Sequence, residues 1–237
     1  MIVTGASRGI GLAIATRLAG AGYSVAAVAR TEGPALTEAI AASERRIAFT
    51  PFDLTQLDAI PELVRGLRAV GPIWGLVNNA GLGTDGLLAN MHPSQVEAMI
   101  RLNVTAPILL TKHVARGMMT DQAGGRIVNM SSIIASTGYS GLSVYGATKA
   151  AMVGFSKSLA RELGRMNVTV NAIAPGFIDT EMTAGLGDEG RDQVMRRSAL
   201  RRLAEVDDVA AMVELLMGDG GKNITGAVMT IDAGNTA

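Results

Sequence analysis

The sequence contains no cysteine and only two histidines among its 237 residues. The absence of cysteine excludes disulfides, thiolate metal sites, iron–sulfur clusters and cysteine nucleophiles. His92 and His113 lie far apart in sequence, so a multi-histidine metal site is not expected. We predict that the protein holds no metal and that both histidines are surface or capping residues.

An excess of charge of either sign is also missing. The 21 basic residues equal the 21 acidic residues, so the formal net charge is zero and the basic footprint of a general nucleic-acid binder is absent. No apolar run approaches the roughly 18 residues of a membrane span, and the first residues lack the pattern of a signal peptide. We therefore expect a cytoplasmic protein that binds neither nucleic acid nor a membrane.

Short apolar runs alternate with helical patterns along the whole chain. We predict strands over 2–4, 24–29, 47–51, 73–78, 126–131, 168–174 and 227–231. We predict helices over 10–18, 34–42, 58–69, 93–119, 144–163 and 207–217. Strands separated by helices of this length form a parallel sheet that is covered by helices on both faces. The pattern runs unbroken to the last strand, which predicts one α/β domain over 1–237.

A glycine-rich turn lies between the first predicted strand and the first predicted helix. Gly5, Gly9 and Gly11 permit a tight turn and a close approach of ligand to backbone. The helix N-terminus behind them offers unpaired N–H groups and the positive end of a dipole to a phosphate. A simple strand-to-helix turn is the alternative, and the strand before and helix after make it less favoured.

Three further motifs follow the glycine turn in order. Asn-Asn-Ala-Gly at 78–81 ends the fourth predicted strand, Tyr145 precedes Lys149 by four residues, and Pro-Gly at 175–176 follows the sixth strand. Together with the glycine turn, these motifs resemble the short-chain dehydrogenase/reductase family, and most closely its 3-oxoacyl-[acyl-carrier-protein] reductases. The resemblance implies a Rossmann-type doubly wound sheet of seven parallel strands in the order 3-2-1-4-5-6-7.

The resemblance implies a nicotinamide cofactor, and the residues favour NADP(H) over NAD(H). The acid that would bind a free ribose 2′-hydroxyl is missing at the end of the second strand, where Arg30 stands. Arg30 and Arg8 could hold a 2′-phosphate, and the less favoured alternative is that both are solvated surface charges. Asp53 and Leu54 resemble the family's adenine contact, and Asp53 could also cap a helix.

By this resemblance the cofactor would be held by residues of the glycine turn, of the ends of the second, third, fourth and sixth strands, and of the Tyr–Lys helix. These residues are Gly5, Ser7, Arg8, Gly9, Ile10, Gly11, Arg30, Asp53, Leu54, Asn79, Ala80, Gly81, Tyr145, Lys149, Pro175, Gly176, Ile178 and Thr180.

Tyr145 and Lys149 share one face of a predicted helix because they are four residues apart. A neighbouring ammonium stabilises a phenolate, so we expect a lowered pKa for Tyr145 and a role in proton transfer. Ser132 matches the family's catalytic serine, and Ser131 is the competing candidate. The resemblance implies that Asn103 kinks its helix and joins a proton relay to the lysine. A buried Asn satisfied by backbone groups is the alternative.

The resemblance implies reduction of a carbonyl, with a 3-oxoacyl thioester as the favoured substrate. Basic residues that would dock an acyl carrier protein are missing at 120–122, although Arg116 and Arg165 could serve. A dehydrogenase or reductase of another secondary alcohol, such as a sugar, steroid or polyketide, is the alternative. A non-catalytic nucleotide-sensing protein is a remote alternative, because all the catalytic residues are present.

Two further expectations concern a mobile segment and the oligomeric state. The stretch of about 180–203 is predicted to be a mobile lid over the substrate, with a plain surface loop as the alternative. Helices 93–119 and 144–163 carry more apolar and small residues than one sheet face requires. Because the family commonly pairs these helices, we expect a homotetramer or a homodimer.

Overall fold

One parallel sheet forms the centre of the molecule in the computed structural model, which describes residues 1–178 and 187–237. Its strands are β1 (Ile2–Thr4), β2 (Val25–Ala29), β3 (Ile47–Pro51), β4 (Gly75–Asn78), β5 (Gly125–Met130), β6 (Val168–Pro175) and β7 (Val228–Ile231). The order is β3-β2-β1-β4-β5-β6-β7, and every pair is parallel. The predicted fold class and strand order are confirmed.

Helices cover both faces of this sheet. They are α1 (Gly9–Gly20), α2 (Pro34–Ala42), α3 (Ile60–Val70), α4 (Pro93–Ile100), α5 (Ala106–Asp121), α6 (Ser143–Leu163), α7 (Gly187–Arg197) and α8 (Val206–Met217). One apolar cluster packs α1 and α8 against one face, and a second packs α3, α5 and α6 against the other. Two buried faces explain why the strands are almost continuously apolar. Among the described residues, no helix has the length and apolar character needed to cross a membrane.

The helix predicted over 93–119 is interrupted, so that prediction was wrong. α4 ends at Ile100, a π-helical turn runs over Arg101–Thr105, and α5 begins at Ala106. A π-turn accommodates one extra residue within a helix and occurs often at functional sites. Asn103 is buried in the middle of this turn, so the predicted irregularity at Asn103 takes the form of a wider turn.

The stretch predicted as a lid contains a helix. α7 spans Gly187–Arg197, so a plain surface loop is wrong for that part of 180–203. The sequence did not reveal this helix because it is strongly polar and carries Gly187 and Gly190, which removes the apolar periodicity. Whether α7 moves as a lid stays a prediction.

His92 behaves as the sequence suggests. Its ring Nδ1 accepts a hydrogen bond from the Ser94 N–H at 3.2 Å, and the Gln95 side chain accepts one from the His92 N–H at 3.0 Å. These two bonds form a capping box at the start of α4, and the prediction of a capping role is confirmed for His92.

Candidate active site

The glycine turn lies where the strand order reverses between β1 and β4, at the carboxyl ends of the strands. Gly5 and Gly9 have φ values of +65° and +55°, which L side chains rarely adopt. Arg8 stands at the N-cap of α1, and no side chain there caps the first helical N–H groups. A Cβ on Gly9 would meet nothing within 4 Å, so the space beside the turn is open. Uncapped N–H groups facing open space fit a phosphate.

Asn79 fastens this turn to the end of β4. Its Nδ2 donates to the Thr4 carbonyl at 2.9 Å and to the Gly5 carbonyl at 3.3 Å. The Thr4 hydroxyl accepts from the N–H groups of Asn79 and Ala80 at 2.9 and 3.0 Å. A Cβ on Gly11 would lie 2.2 Å from the Gly5 carbonyl oxygen, so only glycine allows this close packing. Asn79 is therefore in place to shape the phosphate turn.

The ends of β2 and β3 carry the residues that were predicted to contact the 2′-phosphate and the adenine. Ala29 is buried at the end of β2, and Arg30 is exposed directly after it. The Asp53 carboxylate accepts from the Thr55 N–H at 2.9 Å and from the Thr55 hydroxyl at 2.8 Å. The backbone bond is the main reason that the pKa of Asp53 lies below its usual value. Asp53 thus closes a local turn, and Leu54 buries its side chain in the core.

Ser132 and Tyr145 meet at the carboxyl end of β5. Ser132 caps a short turn by accepting from the Ile134 N–H at 3.2 Å, and its hydroxyl also acts on the Tyr145 phenol by lowering the pKa of that group. Burial raises the pKa of Tyr145, and the interaction with Ser132 offsets only part of this effect. The expected lowering is therefore not found in the protein alone, because burial of the phenol outweighs the interaction with Ser132.

The alternative serine has a different role. The Ser131 hydroxyl donates to the Lys149 carbonyl at 2.9 Å and so ties β5 to the backbone of α6. Strand alternation places the two serines on opposite sides. Of the two, Ser132 is the serine that reaches the phenol.

Lys149 is a buried cation beside Tyr145. Its side chain is 6% exposed, and Nζ lies 5.6 Å from the centre of the Tyr145 ring. Burial lowers the pKa of Lys149 to about 8. Its ammonium has three donors, and one of them bonds the Met130 carbonyl at 3.0 Å. The others fit the ribose hydroxyls of a nicotinamide nucleotide.

Asn103 links three parts of the site through its amide. Its Oδ1 accepts from the Leu82 N–H at 2.7 Å, and its Nδ2 donates to the Leu82 carbonyl at 2.8 Å. Nδ2 also donates to the Thr148 hydroxyl at 3.1 Å, next to Lys149 in α6. A Cβ on Gly81 would approach the Asn103 Oδ1 and the Lys149 Nζ to 3.4 Å each. The loop after β4, the π-turn and α6 therefore meet at this amide.

The Pro-Gly motif borders the site from β6. The Gly176 N–H donates to the Ile231 carbonyl at 2.8 Å, and a Cβ on Gly176 would lie 2.5 Å from the Asp232 Cβ. Pro175 ends β6, and Ile178 is buried and pairs with Ala204. Thr180, also predicted as a cofactor residue, lies outside the described residues. This motif brings the backbone of Ile178 toward the same end of the sheet as Lys149.

A cavity of about 210 Å³ lies next to the turn that Ser132 caps. It is lined by Ile133, Ile134, Thr137, Gly138, Tyr139, Phe177, Gly190, Gln193, Val194, Arg197, Asn235 and Thr236. Among the described residues, no group of three or more His, Asp or Glu is placed to hold a metal ion.

A family model described as short chain dehydrogenase matches residues 1–190. The chain belongs to the short-chain dehydrogenase family. It is 36% identical over 235 residues to the 3-oxoacyl-[acyl-carrier-protein] reductase FabG of Escherichia coli, covering 98% of this chain and 95% of that relative. The same enzyme of Vibrio harveyi is 37% identical with the same coverage. Membership makes this short-chain dehydrogenase an NAD(P)-dependent oxidoreductase that acts on CH–OH groups.

Solved structures show the same similarity. A short chain dehydrogenase from Burkholderia cenocepacia in complex with NADP has a TM-score of 0.91 at 36% identity, covering 100% of this chain and 97% of that one. A gluconate 5-dehydrogenase from the same organism, in complex with NADP and tartrate, has a TM-score of 0.93 at 27% identity, covering 99% and 94%.

Two threonines that the motif analysis passed over also shape this short-chain dehydrogenase. Thr4 binds the loop after β4, and Thr148 donates to the Tyr145 carbonyl at 2.8 Å while accepting from Asn103. A signal existed for Thr4, because it is a polar residue at the end of an apolar strand. For Thr148 the signal was weaker, because helices tolerate threonine on either face.

Proposed function

We propose that this chain is an NADPH-dependent reductase that converts a ketone into a secondary alcohol, with Tyr145 as the proton donor. The observation that carries the proposal is the cluster in which Tyr145 lies within the electrostatic influence of Ser132 and has the Lys149 Nζ 5.6 Å from the centre of its ring. A phenol whose pKa is raised by burial keeps its proton at neutral pH, which is the form that a general acid needs.

In this proposal each residue has a separate task. Ser132 holds the substrate oxygen by a hydrogen bond, and Tyr145 gives its proton to that oxygen as negative charge develops on it. NADPH, when bound, supplies the hydride to the carbonyl carbon. Lys149 holds the ribose hydroxyls and stabilises the phenolate that proton donation leaves, until solvent reprotonates it. Asn103 positions Leu82 and Thr148 around this cluster.

NADP(H) is the proposed cofactor rather than NAD(H). Arg30 follows β2 in place of an acid, and Arg8 stands at the N-cap of α1. In this proposal both guanidiniums serve as the positive partners of the 2′-phosphate. The NADP and NADPH complexes among the structural neighbours support this choice. The remaining proposed cofactor residues are those of the predicted set, with Thr180 among them.

A 3-oxoacyl thioester is the substrate class that the curated relatives support, since FabG of two bacteria is named as a 3-oxoacyl-[acyl-carrier-protein] reductase. Docking of an acyl carrier protein has less support than the thioester substrate. Asp121 pairs with Arg68 at 2.9 Å near the end of α5, where a basic patch would be needed. Reduction of another secondary alcohol is therefore the second candidate, and the gluconate 5-dehydrogenase neighbour supports it.

Three further predictions belong to the same proposal. They are a single catalytic domain over 1–237, a lid that includes α7, and a homotetramer or homodimer in the cytoplasm. Size-exclusion chromatography with light scattering tests the assembly, and a monomer would contradict it.

NADPH oxidation tests the function directly. The purified protein is offered acetoacetyl thioesters, diketones, ketoses and steroid ketones, and the absorbance of NADPH is followed with each. Activity on thioesters alone selects the first candidate, and activity on another ketone class selects the second. Tyr145→Phe serves as the control, because it removes the donated proton and keeps the ring. A protein that binds NADPH and reduces none of these ketones contradicts the proposal.

A further inference from the structure

The cavity next to Ser132 has one apolar wall. Ile133 and Ile134 follow Ser132 directly, so this wall begins where the ketone oxygen would be held. Tyr139 and Phe177 complete it, with ring centres 6.0 Å apart and planes tilted by 59°. This wall fits the carbon chain on one side of a ketone.

The opposite wall is polar, and most of its groups are already bonded. The Asn235 Nδ2 donates weakly to the Val194 carbonyl and the Ser198 hydroxyl at 3.4 and 3.3 Å. The Thr236 hydroxyl donates to Asp232 at 2.7 Å. Gln193 and Arg197 stand four residues apart on α7, one turn from each other on the same face.

Among the described residues of this lining, Arg197 is the charged one. Among the described residues, its guanidinium has neither an ion pair nor a hydrogen bond. The adjacent Arg196 differs, because its Nε donates to the Asp192 carbonyl at 3.3 Å. Glu189 lies two helical turns before Arg197 on α7 and lines a neighbouring cavity together with it. The cavity therefore combines apolar contacts with one available guanidinium.

We propose that this cavity selects ketones carrying a carboxylate, which Arg197 binds at the polar wall. The inference rests on the proposed ketone reduction and adds a substrate class to it. A guanidinium matches a carboxylate with two parallel N–H donors, which a neutral ester cannot use as well. The volume of about 210 Å³ is below the range of about 300–1,000 Å³ for drug-sized ligands, so the bound group is short.

Matched pairs of substrates test this selection. Oxo acids with two, three or four methylene groups between ketone and carboxylate are compared with their methyl esters, using NADPH oxidation by the whole protein. For at least one chain length, we expect kcat/KM of the acid to exceed that of its ester by about tenfold. Arg197→Gln should lower this acid-to-ester ratio to about one through the KM of the acid, and Arg197→Lys should restore part of it.

Arg196→Gln is the matched control, since it removes the same charge one residue away and should leave the ratio unchanged. An equal loss of the ratio in both variants would overturn the inference, because general charge attraction would then explain it. Wild-type protein that reduces the esters as well as the acids overturns the carboxylate preference and leaves ketone reduction standing. If neither acids nor esters are reduced and the proposed screen also finds no ketone substrate, both proposals fail.

Discussion

The buried ammonium of Lys149 makes a measurable prediction about stability. Burial lowers the pKa of this side chain from 10.5 to about 8, because the folded protein solvates the charge poorly. At about 1.4 kcal/mol per pH unit, this difference corresponds to roughly 3 kcal/mol of unfolding free energy. At neutral pH, the charged Lys149 therefore lowers the free energy of unfolding by that amount.

The direction of the pH effect follows from proton binding. Below pH 8 the lysine is protonated in both states, and the full cost is present. Between pH 8 and 10.5 the unfolded chain binds more protons than the folded chain, so the free energy of unfolding rises with pH. Other titrating groups also contribute to the change of the unfolding free energy with pH. A Lys149→Met variant keeps all of these groups and lacks only the lysine, so it serves as the reference.

The measurement is urea unfolding of both proteins between pH 7 and 10.5, without nucleotide and at one protein concentration. The single tryptophan, Trp74, reports unfolding by fluorescence, since it stacks on Arg126 at 5.0 Å in the folded protein. Wild-type stability minus variant stability should increase by roughly 3 kcal/mol across this range. A difference that stays constant with pH would refute the reasoning, because the ammonium would then not be desolvated.

Three further predictions concern single residues. Tyr145→Phe should lower turnover by about 10²-fold or more while NADPH still binds, which steady-state kinetics and a fluorescence titration measure; near-normal turnover would refute the proton donor. Asn103→Leu should reduce the unfolding free energy by about 2 kcal/mol in urea, because it leaves both polar groups of the Leu82 backbone unbonded; unchanged stability would contradict this role. Arg30→Asp should reverse the preference for NADPH over NADH in kcat/KM, and a wild-type preference for NADH would already contradict the assignment.

The sequence could predict the strands well because their signal is local. A strand such as Val25–Ala29 is apolar throughout, and the charged Arg30 directly after it ends the apolar run. The strand order came from the family resemblance, and the structure confirms it. The π-turn at Arg101–Thr105 could not be predicted, because one inserted residue leaves apolar positions such as Met99 and Leu110 nearly in phase.

Some features of the candidate site could likewise be predicted from the sequence, and others could not. Motif spacing placed Tyr145 and Lys149 on one face of α6, and the structure brings them together with Ser132. The direction of the Tyr145 pKa could not be predicted, since sequence spacing reveals a neighbouring charge but not the burial of the phenol. Likewise, Arg197 and Asn235 both line the polar wall of the cavity, and no local pattern predicts that such distant segments line one cavity.

The π-turn around Asn103 has a consequence for attempts to stabilise the protein by redesign. Design methods favour regular helices, and a deletion of one residue within Arg101–Thr105 would give α4 and α5 a common, regular backbone. Each residue turns a helix by about 100°, so the same deletion would rotate the Asn103 amide away from Leu82 and Thr148. The more regular protein would then be expected to lose the arrangement around Tyr145 and Lys149, which makes this turn a place to leave unchanged.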